Sequence, residues 1–264
     1  MFDAPINLKD LKLEATFLKH ELIFKTPAKT SRETFTIKET YILKIKYIHE
    51  STTGIGECSP LWSLSIDPKG EFISQLKYVC EQINNWESLI QNELINFPSI
   101  QFGLETALLD LSNNGKGIIY PSNFTNGNDS IQINGLIWMG DFKYMSDQIE
   151  KKIENNFQCV KLKIGAIEWE EELMLLKNIR NRFSEKDIEL RVDANGAFSP
   201  ENALKKLDEM AKLKIHSIEQ PIMAGQIEKM KNLCAKTSIP IVLDEELIGI
   251  KDKNEKDQLL QYIK

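Results

Sequence analysis

The chain has 264 residues, of which 42% are hydrophobic and 27% are charged, and its formal net charge is −6 at pH 7. This composition is typical of a globular protein, and the length predicts two domains. Lysines and arginines are interspersed with acids, which excludes a basic stripe for nucleic acid. No long apolar run predicts a membrane span, and the first residues lack the pattern of a signal peptide. We therefore expect a cytoplasmic protein without nucleic-acid or membrane partners, and the composition leaves its oligomeric state open.

The cysteines and histidines argue against several kinds of site. The four cysteines are far apart and show no Cys-x-x-Cys spacing, which predicts reduced core thiols. Three histidines are too few for a His-rich metal site. His216 lies beside a predicted strand and is expected to be structural rather than catalytic.

The first part of the chain has the pattern of an α+β unit. Residues 11–57 contain runs rich in Thr, Ile, Phe and Tyr, separated by turn-forming segments, and this predicts an antiparallel meander. Apolar residues at three- and four-residue spacing then predict helices over 70–90 and 99–113. We expect residues 1–125 to form an α+β domain.

The second part, residues 126–264, alternates strand and helix patterns five times. One helix has a clear start signal, with Ser199 as the N-cap and Pro200 as the first helical residue. The alternation predicts a parallel sheet, either doubly wound or part of a (β/α) barrel. The predicted strands lie within residues 131–138, 159–164, 188–195, 214–221 and 239–246.

The second of these strands, "CVKLKI", carries two lysines on one face. Lys161 and Lys163 alternate with the apolar residues Val160, Leu162 and Ile164, so both ammonium groups point the same way. One interpretation is an edge strand with a solvated lysine face. The other is a pair of charges directed at a bound substrate.

Each of the next three predicted strands carries an acid near its end. Asp193 closes "LRVD", Glu219 closes "HSIE" and Asp244 closes "IVLD", at intervals of about one strand–helix repeat. Corresponding positions on adjacent parallel strands lie roughly 4.8 Å apart. The three carboxylates are therefore expected in register at the carboxyl-terminal face, where (β/α) barrels have their active sites.

Crowded carboxylates repel one another, and a hard divalent cation removes that conflict. We expect Asp193, Glu219 and Asp244 to bind Mg²⁺, with Mn²⁺ as an alternative, because such cations take oxygen ligands. A lysine beside a second lysine and a cation has its pKa lowered, which suits a general base. Such a base could remove the proton next to a carboxylate of the substrate that the metal holds.

The segments "KLK", "VDANGAF", "IEQP" and "LDEE", in this order and spacing, resemble the muconate-lactonising subgroup of the enolase superfamily. Residues 54–65, "GIGECSPLWSLS", resemble its substrate-covering loop, and "FGLETALLDL" resembles the central helix of its capping domain. The resemblance implies an N-terminal capping domain followed by a (β/α) barrel. It also implies Lys163 as the proton-abstracting base and Lys161 as its electrostatic partner, with the three acids as ligands of Mg²⁺.

Within the subgroup, "NGLIWMG" and "GECSPLWSLS" most resemble the ortho-succinylbenzoate synthase family. This implies a Mg²⁺-dependent lyase of menaquinone biosynthesis that dehydrates 2-succinyl-6-hydroxy-2,4-cyclohexadiene-1-carboxylate to 2-succinylbenzoate. Its partner is then a small-molecule carboxylate substrate, whose binding residues are not assigned. The alternatives in the same subgroup are a dipeptide epimerase, an N-acylamino acid racemase and a cycloisomerase. Asn195 and Gln220 flank the acids, and the sequence assigns them no role.

One feature departs from the family pattern. The family has a further lysine at the end of the sixth barrel strand, whereas Lys264 follows a predicted helix and is not assigned that role. We expect a barrel truncated after about five strand–helix units, with an open edge at its fifth strand. An inactive truncated barrel is therefore the alternative of a different class, and the 264-residue chain is predicted to be inactive as a monomer.

Overall fold

The structure is a computed structural model that describes residues 6–29, 34–250 and 252–263. Two compact units are formed, one by most of the chain up to Ile131 and the other by the chain from Gln132 onward. Lys264 lies outside the described residues. None of the helices in the described part of the chain has the length and apolar character needed to cross a membrane.

The first unit has a three-stranded sheet in the order β1-β2-β3, in which β2 pairs with β3 antiparallel. The strands are β1 (Leu13–Lys29), β2 (Thr34–Tyr47) and β3 (Thr53–Cys58). The helices are α1 (Phe72–Glu81), α2 (Trp86–Ser88) and α3 (Pro98–Ser112).

Helix α3 packs very closely on β3, and glycines make this approach possible. A Cβ added to Gly56 would lie 1.8 Å from the carbonyl oxygen of Gly103, and one added to Gly54 would lie 2.1 Å from that of Ala107. Asp110, which is 2% exposed, accepts the N–H of Ile55 at 2.9 Å. The helix backbone and one buried carboxylate therefore fix the position of β3.

The long helix expected over residues 70–90 is interrupted. Helix α1 ends at Glu81, and a 3₁₀ turn, the short α2 and a π turn follow. Within the 3₁₀ turn, the side chain of Asn84 pairs with the backbone of Leu13: Oδ1 accepts its N–H at 2.8 Å and Nδ2 donates to its carbonyl oxygen at 3.0 Å. This pairing satisfies the polar groups at the start of β1, and tertiary contact overrides the helical pattern. The second predicted helix is confirmed as α3.

The second unit has a five-stranded parallel sheet in the order β4-β5-β6-β7-β8. The strands are β4 (Gly135–Ile137), β5 (Cys159–Lys163), β6 (Glu189–Asp193), β7 (Ser217–Glu219) and β8 (Ile241–Val242). The helices are α4 (Phe142–Glu154), α5 (Trp169–Arg182), α6 (Pro200–Ala211), α7 (Ile227–Lys236) and α8 (Lys253–Ile263). Ser199 is the N-cap residue of α6, as predicted, although its side chain makes no capping hydrogen bond.

All five of these helices pack on the same face of the sheet. Val160, Leu162, Leu190, Val192 and Ile218 are at most 1% exposed and share one apolar cluster with residues from every helix α4 to α8. A doubly wound sheet would carry helices on both faces. The arrangement is therefore of the (β/α)-barrel type, and the helix-free face carries the charged residues of the strands.

Candidate active site

The two lysines and two of the acids meet at one end of the sheet. In the parallel pairing, Lys163 lies opposite Asp193, and Asp193 lies opposite Glu219. Their side chains alternate with the buried residues that pack on the helices, so they occupy the helix-free face. The carboxyl-terminal ends of β5, β6 and β7 therefore place these groups side by side.

The lysines are engaged with the acids. Lys161 Nζ lies 2.5 Å from Glu219 Oε2 and 3.3 Å from Asp193 Oδ2. Lys163 Nζ lies 2.9 Å from Asp193 Oδ2 and donates to Asn195 Oδ1, also at 2.9 Å. The lysine side chains are 20% and 17% exposed and that of Asp193 only 1%. This geometry does not fit the interpretation of a solvated lysine face.

Asp244 is placed differently from the other two acids. Val242, rather than Asp244, pairs with Glu219, so Asp244 lies two residues beyond that register, and it is exposed. Eight barrel strands with a shear of eight advance by about one residue per strand on average. A stagger of two residues over the two strand pairs from β6 to β8 therefore matches the tilt of a barrel. The expectation of a common register holds for Asp193 and Glu219 and does not hold for Asp244.

Burial and charge shift the pKa values of this group. Burial raises the pKa of Glu219; the hydrogen bond from Lys161 opposes this, and the negative charges of Asp193 and Asp244 add to it. For Lys161, burial lowers the pKa, but the Glu219 hydrogen bond and the charges of both acids outweigh burial and raise it. The pKa of Lys161 is therefore raised in this structure, because its nearest charged partners are carboxylates.

The donor set suits a hard divalent cation. Asp193, Glu219 and Asp244 supply carboxylate oxygens from the ends of adjacent strands, and their mutual repulsion contributes to the raised pKa of Glu219. Within the described ranges, no three acidic, cysteine or histidine side chains converge closely enough to hold a metal as they stand. The Lys161 ammonium lies between Asp193 and Glu219 and contacts both carboxylates. The three carboxylates thus fit a divalent cation in their chemistry and their strand order.

Gln220 connects the strand ends, a role that the sequence did not assign. Its side chain is 0% exposed, and its Oε1 accepts the N–H groups of Asp244 and Glu246, each at 3.2 Å. Its backbone has the left-handed φ of 38°, which is uncommon for a residue other than glycine. Gln220 therefore ties the backbone of Asp244 to the end of β7. Its position directly after Glu219 in "IEQP" was the only signal in the sequence.

Glu172, to which the sequence assigned no role, supports the loop after β5. Its carboxylate is 1% exposed and its Oε1 accepts the N–H groups of Gly165 at 2.5 Å and Ala166 at 3.0 Å. Burial raises the pKa of Glu172, and these backbone hydrogen bonds oppose that effect. The first turn of α5 thereby holds the segment that follows Lys163. The acid-rich start of that helix, "EWEEE", was the available signal.

Volume alone does not mark this site. A concavity of about 1030 Å³ lies at the opposite, amino-terminal ends of the strands, lined by residues such as Cys159, Glu189 and Arg191. His216 lies at the same end: its Nδ1 is 3.0 Å from Ser217 Oγ and its Nε2 is 3.8 Å from Glu189 Oε2. His216 is therefore remote from the lysine–carboxylate group.

The chain is similar to known proteins over most of its length. Residues 144–255 match a family described as "Enolase C-terminal domain-like". An o-succinylbenzoate synthase from Desulfotalea psychrophila is 37% identical over 90% of this chain and 73% of that protein. The crystal structure of MenC from Desulfotalea psychrophila LSv54 superimposes with a TM-score of 0.80 at 34% identity, covering 95% of this chain and 76% of that one.

A dipeptide epimerase from Enterococcus faecalis, solved with Mg and the dipeptide L-Leu-L-Tyr, has a TM-score of 0.76 at 20% identity. The match covers 95% of this chain and 72% of that chain, and at this identity it shows the fold alone. The identity to the synthase and the match to the C-terminal domain show more than fold. The chain belongs to the enolase superfamily, in its muconate-lactonising (MR/MLE) subgroup.

Proposed function

We propose that the protein is a Mg²⁺-dependent lyase that dehydrates 2-succinyl-6-hydroxy-2,4-cyclohexadiene-1-carboxylate to 2-succinylbenzoate, as a step of menaquinone biosynthesis. The observation that carries the proposal is the contact of Lys161 and Lys163 with Asp193 and Glu219 at the strand ends, in a chain 37% identical to an o-succinylbenzoate synthase. A base and a set of acidic metal ligands side by side are what proton removal next to a carboxylate needs.

The residues would divide the reaction as follows. Lys163 accepts the proton from C1, the carbon next to the substrate carboxylate, and the C6 hydroxyl departs, so that the overall loss is one water and the ring becomes aromatic. Lys161 places a positive charge where negative charge develops on the substrate. Asp193, Glu219 and Asp244 would hold Mg²⁺, which when bound supplies further positive charge at the substrate carboxylate.

Partial burial supports these roles. The side chains of both lysines are four-fifths or more buried, and a charge in such a site acts more strongly than one in bulk water. The same burial makes the acids dependent on positive partners, because an unpaired carboxylate there is costly. The lysines supply that charge in this structure, and a bound cation would share the task.

The second candidate is a dipeptide epimerase, because the Enterococcus faecalis epimerase shares this fold and the fold does not separate the two reactions. Epimerisation requires proton removal on one face of a carbon and proton delivery on the other, whereas dehydration requires a single base. The two lysines of β5 approach the acids from one strand, and they are sufficient for dehydration.

A substrate comparison tests the proposal. The full natural protein is assayed with the cyclohexadiene acid for succinylbenzoate formation and with L-Ala-L-Glu in D₂O for deuterium incorporation. We expect succinylbenzoate with Mg²⁺, loss of that activity with a chelator, and no exchange in the dipeptide. Exchange or epimerisation of the dipeptide without dehydration would favour the second candidate. No reaction with either substrate would contradict both.

A further inference from the structure

We propose that Glu245 is a positioning residue for Lys163, acting through the side-chain amide of Asn195. The proposal rests on the proposed role of Lys163 as the base, and it concerns a residue of the "LDEE" segment to which the sequence assigned no role. Glu245 directly follows Asp244, on the 3₁₀ turn Glu245–Leu247.

The three side chains form a continuous chain of hydrogen bonds. Lys163 Nζ donates to Asn195 Oδ1 at 2.9 Å, and Asn195 Nδ2 donates to Glu245 Oε1 at 3.1 Å. The contact spans the sheet, from β5 through the loop after β6 to the turn after β8. Glu245 therefore reaches the amine of Lys163 through one intervening side chain.

Donor and acceptor chemistry gives this chain a fixed direction. An ammonium group only donates, a carboxylate only accepts, and an amide has one end of each kind. With Glu245 on one side of Asn195 and Lys163 on the other, only one orientation of the amide satisfies both neighbours. A reversed amide would direct its NH₂ group at the ammonium and its oxygen at the carboxylate, and both contacts would be lost.

The backbone of Asn195 is held in place, so that the remaining freedom of its amide is rotation of the side chain. Its N–H donates to Asp193 Oδ1 at 3.0 Å, and its φ of 43° lies in the left-handed region that asparagine tolerates better than most residues. The main chain is thus held against the same carboxylate that contacts Lys163. The hydrogen bond to Glu245 restrains this rotation of the Asn195 side chain.

Glu245 is committed to this contact. Its Oε2 is buried and has no hydrogen-bond partner in the described part of the chain, so its bond to Asn195 is the one that its carboxylate makes there. A charge-assisted hydrogen bond that a poorly hydrated carboxylate accepts is stronger than a hydrogen bond between neutral groups. The next residue, Glu246, is directed elsewhere, to the N–H of Gly225 at 2.9 Å and to Gln220 Nε2 at 3.3 Å. The two consecutive glutamates therefore serve different loops.

The test uses two variants at this position and one matched control. Glu245→Met removes the acceptor at similar side-chain length, and Glu245→Gln keeps one acceptor oxygen. The control, Glu171→Gln, makes the same glutamate-to-glutamine change at an exposed position in α5. We expect Glu245→Met to lower kcat by roughly tenfold, with KM and Mg²⁺ affinity changed by less than about threefold. Glu245→Gln should fall between Glu245→Met and the wild type, and Glu171→Gln should match the wild type.

Crystal structures of the wild type and Glu245→Met supply a readout that does not depend on activity. We expect the Lys163–Asn195 hydrogen bond in the wild type and its loss in the variant. A variant that keeps this hydrogen bond, or that loses it with unchanged kcat, would overturn the proposal. An equal fall in Mg²⁺ affinity and kcat would also overturn it, because Glu245 would then act through Asp244. If the wild type does not dehydrate the cyclohexadiene acid, the proposed function fails, and the two crystal structures still decide whether Glu245 positions Lys163.

Discussion

Lys163 and Asp193 are register partners in the parallel pairing of β5 with β6, and Lys163 Nζ lies 2.9 Å from Asp193 Oδ2. The proposed base is thus in direct contact with a proposed metal ligand. Lys161 lies two residues earlier on the same face and contacts both Asp193 and Glu219. The positive charge that keeps these carboxylates together in this structure comes from β5.

Loss of Lys161 should therefore destabilise the metal-free protein. We expect Lys161→Met to lower the free energy of unfolding by about 1–3 kcal/mol, because Glu219 is left partly buried without its ammonium partner. Added Mg²⁺ should raise the thermal midpoint of this variant more than that of the wild type, since the cation replaces the lost charge. Calorimetry with and without Mg²⁺ measures both effects.

The control for this prediction is Lys143→Met, which breaks an exposed ion pair with Asp147. Exposed pairs contribute little to stability, so this variant should behave like the wild type in both conditions. Equal effects of the two substitutions would show that Lys161 does not compensate the buried acids.

The close approach of α3 to β3 gives a prediction for the first unit. Gly56→Ala should lower the free energy of unfolding by about 1–3 kcal/mol. The added Cβ would overlap the backbone oxygen of Gly103 and force α3 away from β3. Gly70→Ala is the matched control, since a Cβ there meets nothing within 4 Å. Urea unfolding of the two variants measures the difference. Similar midpoints would contradict the packing argument.

Much of the second unit could be predicted from the sequence because β5, β6 and β7 combine buried apolar residues with a charged final residue. That pattern gives Lys163, Asp193 and Glu219 their face and their end of the sheet. The offset of Asp244 could not be predicted in this way, because it depends on which residue of β8 pairs with Glu219.

Long-range contacts account for most of the other differences. The interrupted helix after Glu81 depends on the pairing of Asn84 with Leu13, which is distant in sequence. The contact of Glu245 with Asn195 joins loops that follow separate strands. The contact of Glu172 is local, from the first turn of α5 to the loop after β5, but an acid in the sequence does not show which N–H it will meet. The spacing of motifs along the chain does not predict which of these side chains will be in contact.

The thiol of Cys58 gives a prediction for pH dependence. Burial raises its pKa from 9.0 to about 12, with smaller contributions from nearby negative charges. Above pH 9.0 the unfolded chain loses this proton while the folded chain keeps it, so stability falls as pH rises. The slope for one such group is at most about 1.4 kcal/mol per pH unit.

Urea unfolding at about pH 8 and about pH 10 measures this effect. The loss of stability between the two conditions should be smaller for Cys58→Ala than for the wild type. Cys234→Ala removes a half-buried thiol, and it should reduce this pH-dependent loss of stability less than Cys58→Ala does. An unchanged pH dependence in Cys58→Ala would contradict the assignment of Cys58 as a buried, protonated thiol.

The most direct test of the account is the rate of succinylbenzoate formation by Lys163→Ala at saturating Mg²⁺, in the full natural protein. Removal of a general base should lower kcat on the order of 10²–10⁴-fold while Mg²⁺ still binds. The exposed Lys177 offers the same substitution away from the site, and Lys177→Ala should retain the wild-type rate. Near-wild-type turnover by Lys163→Ala would contradict the assignment of Lys163 as the base.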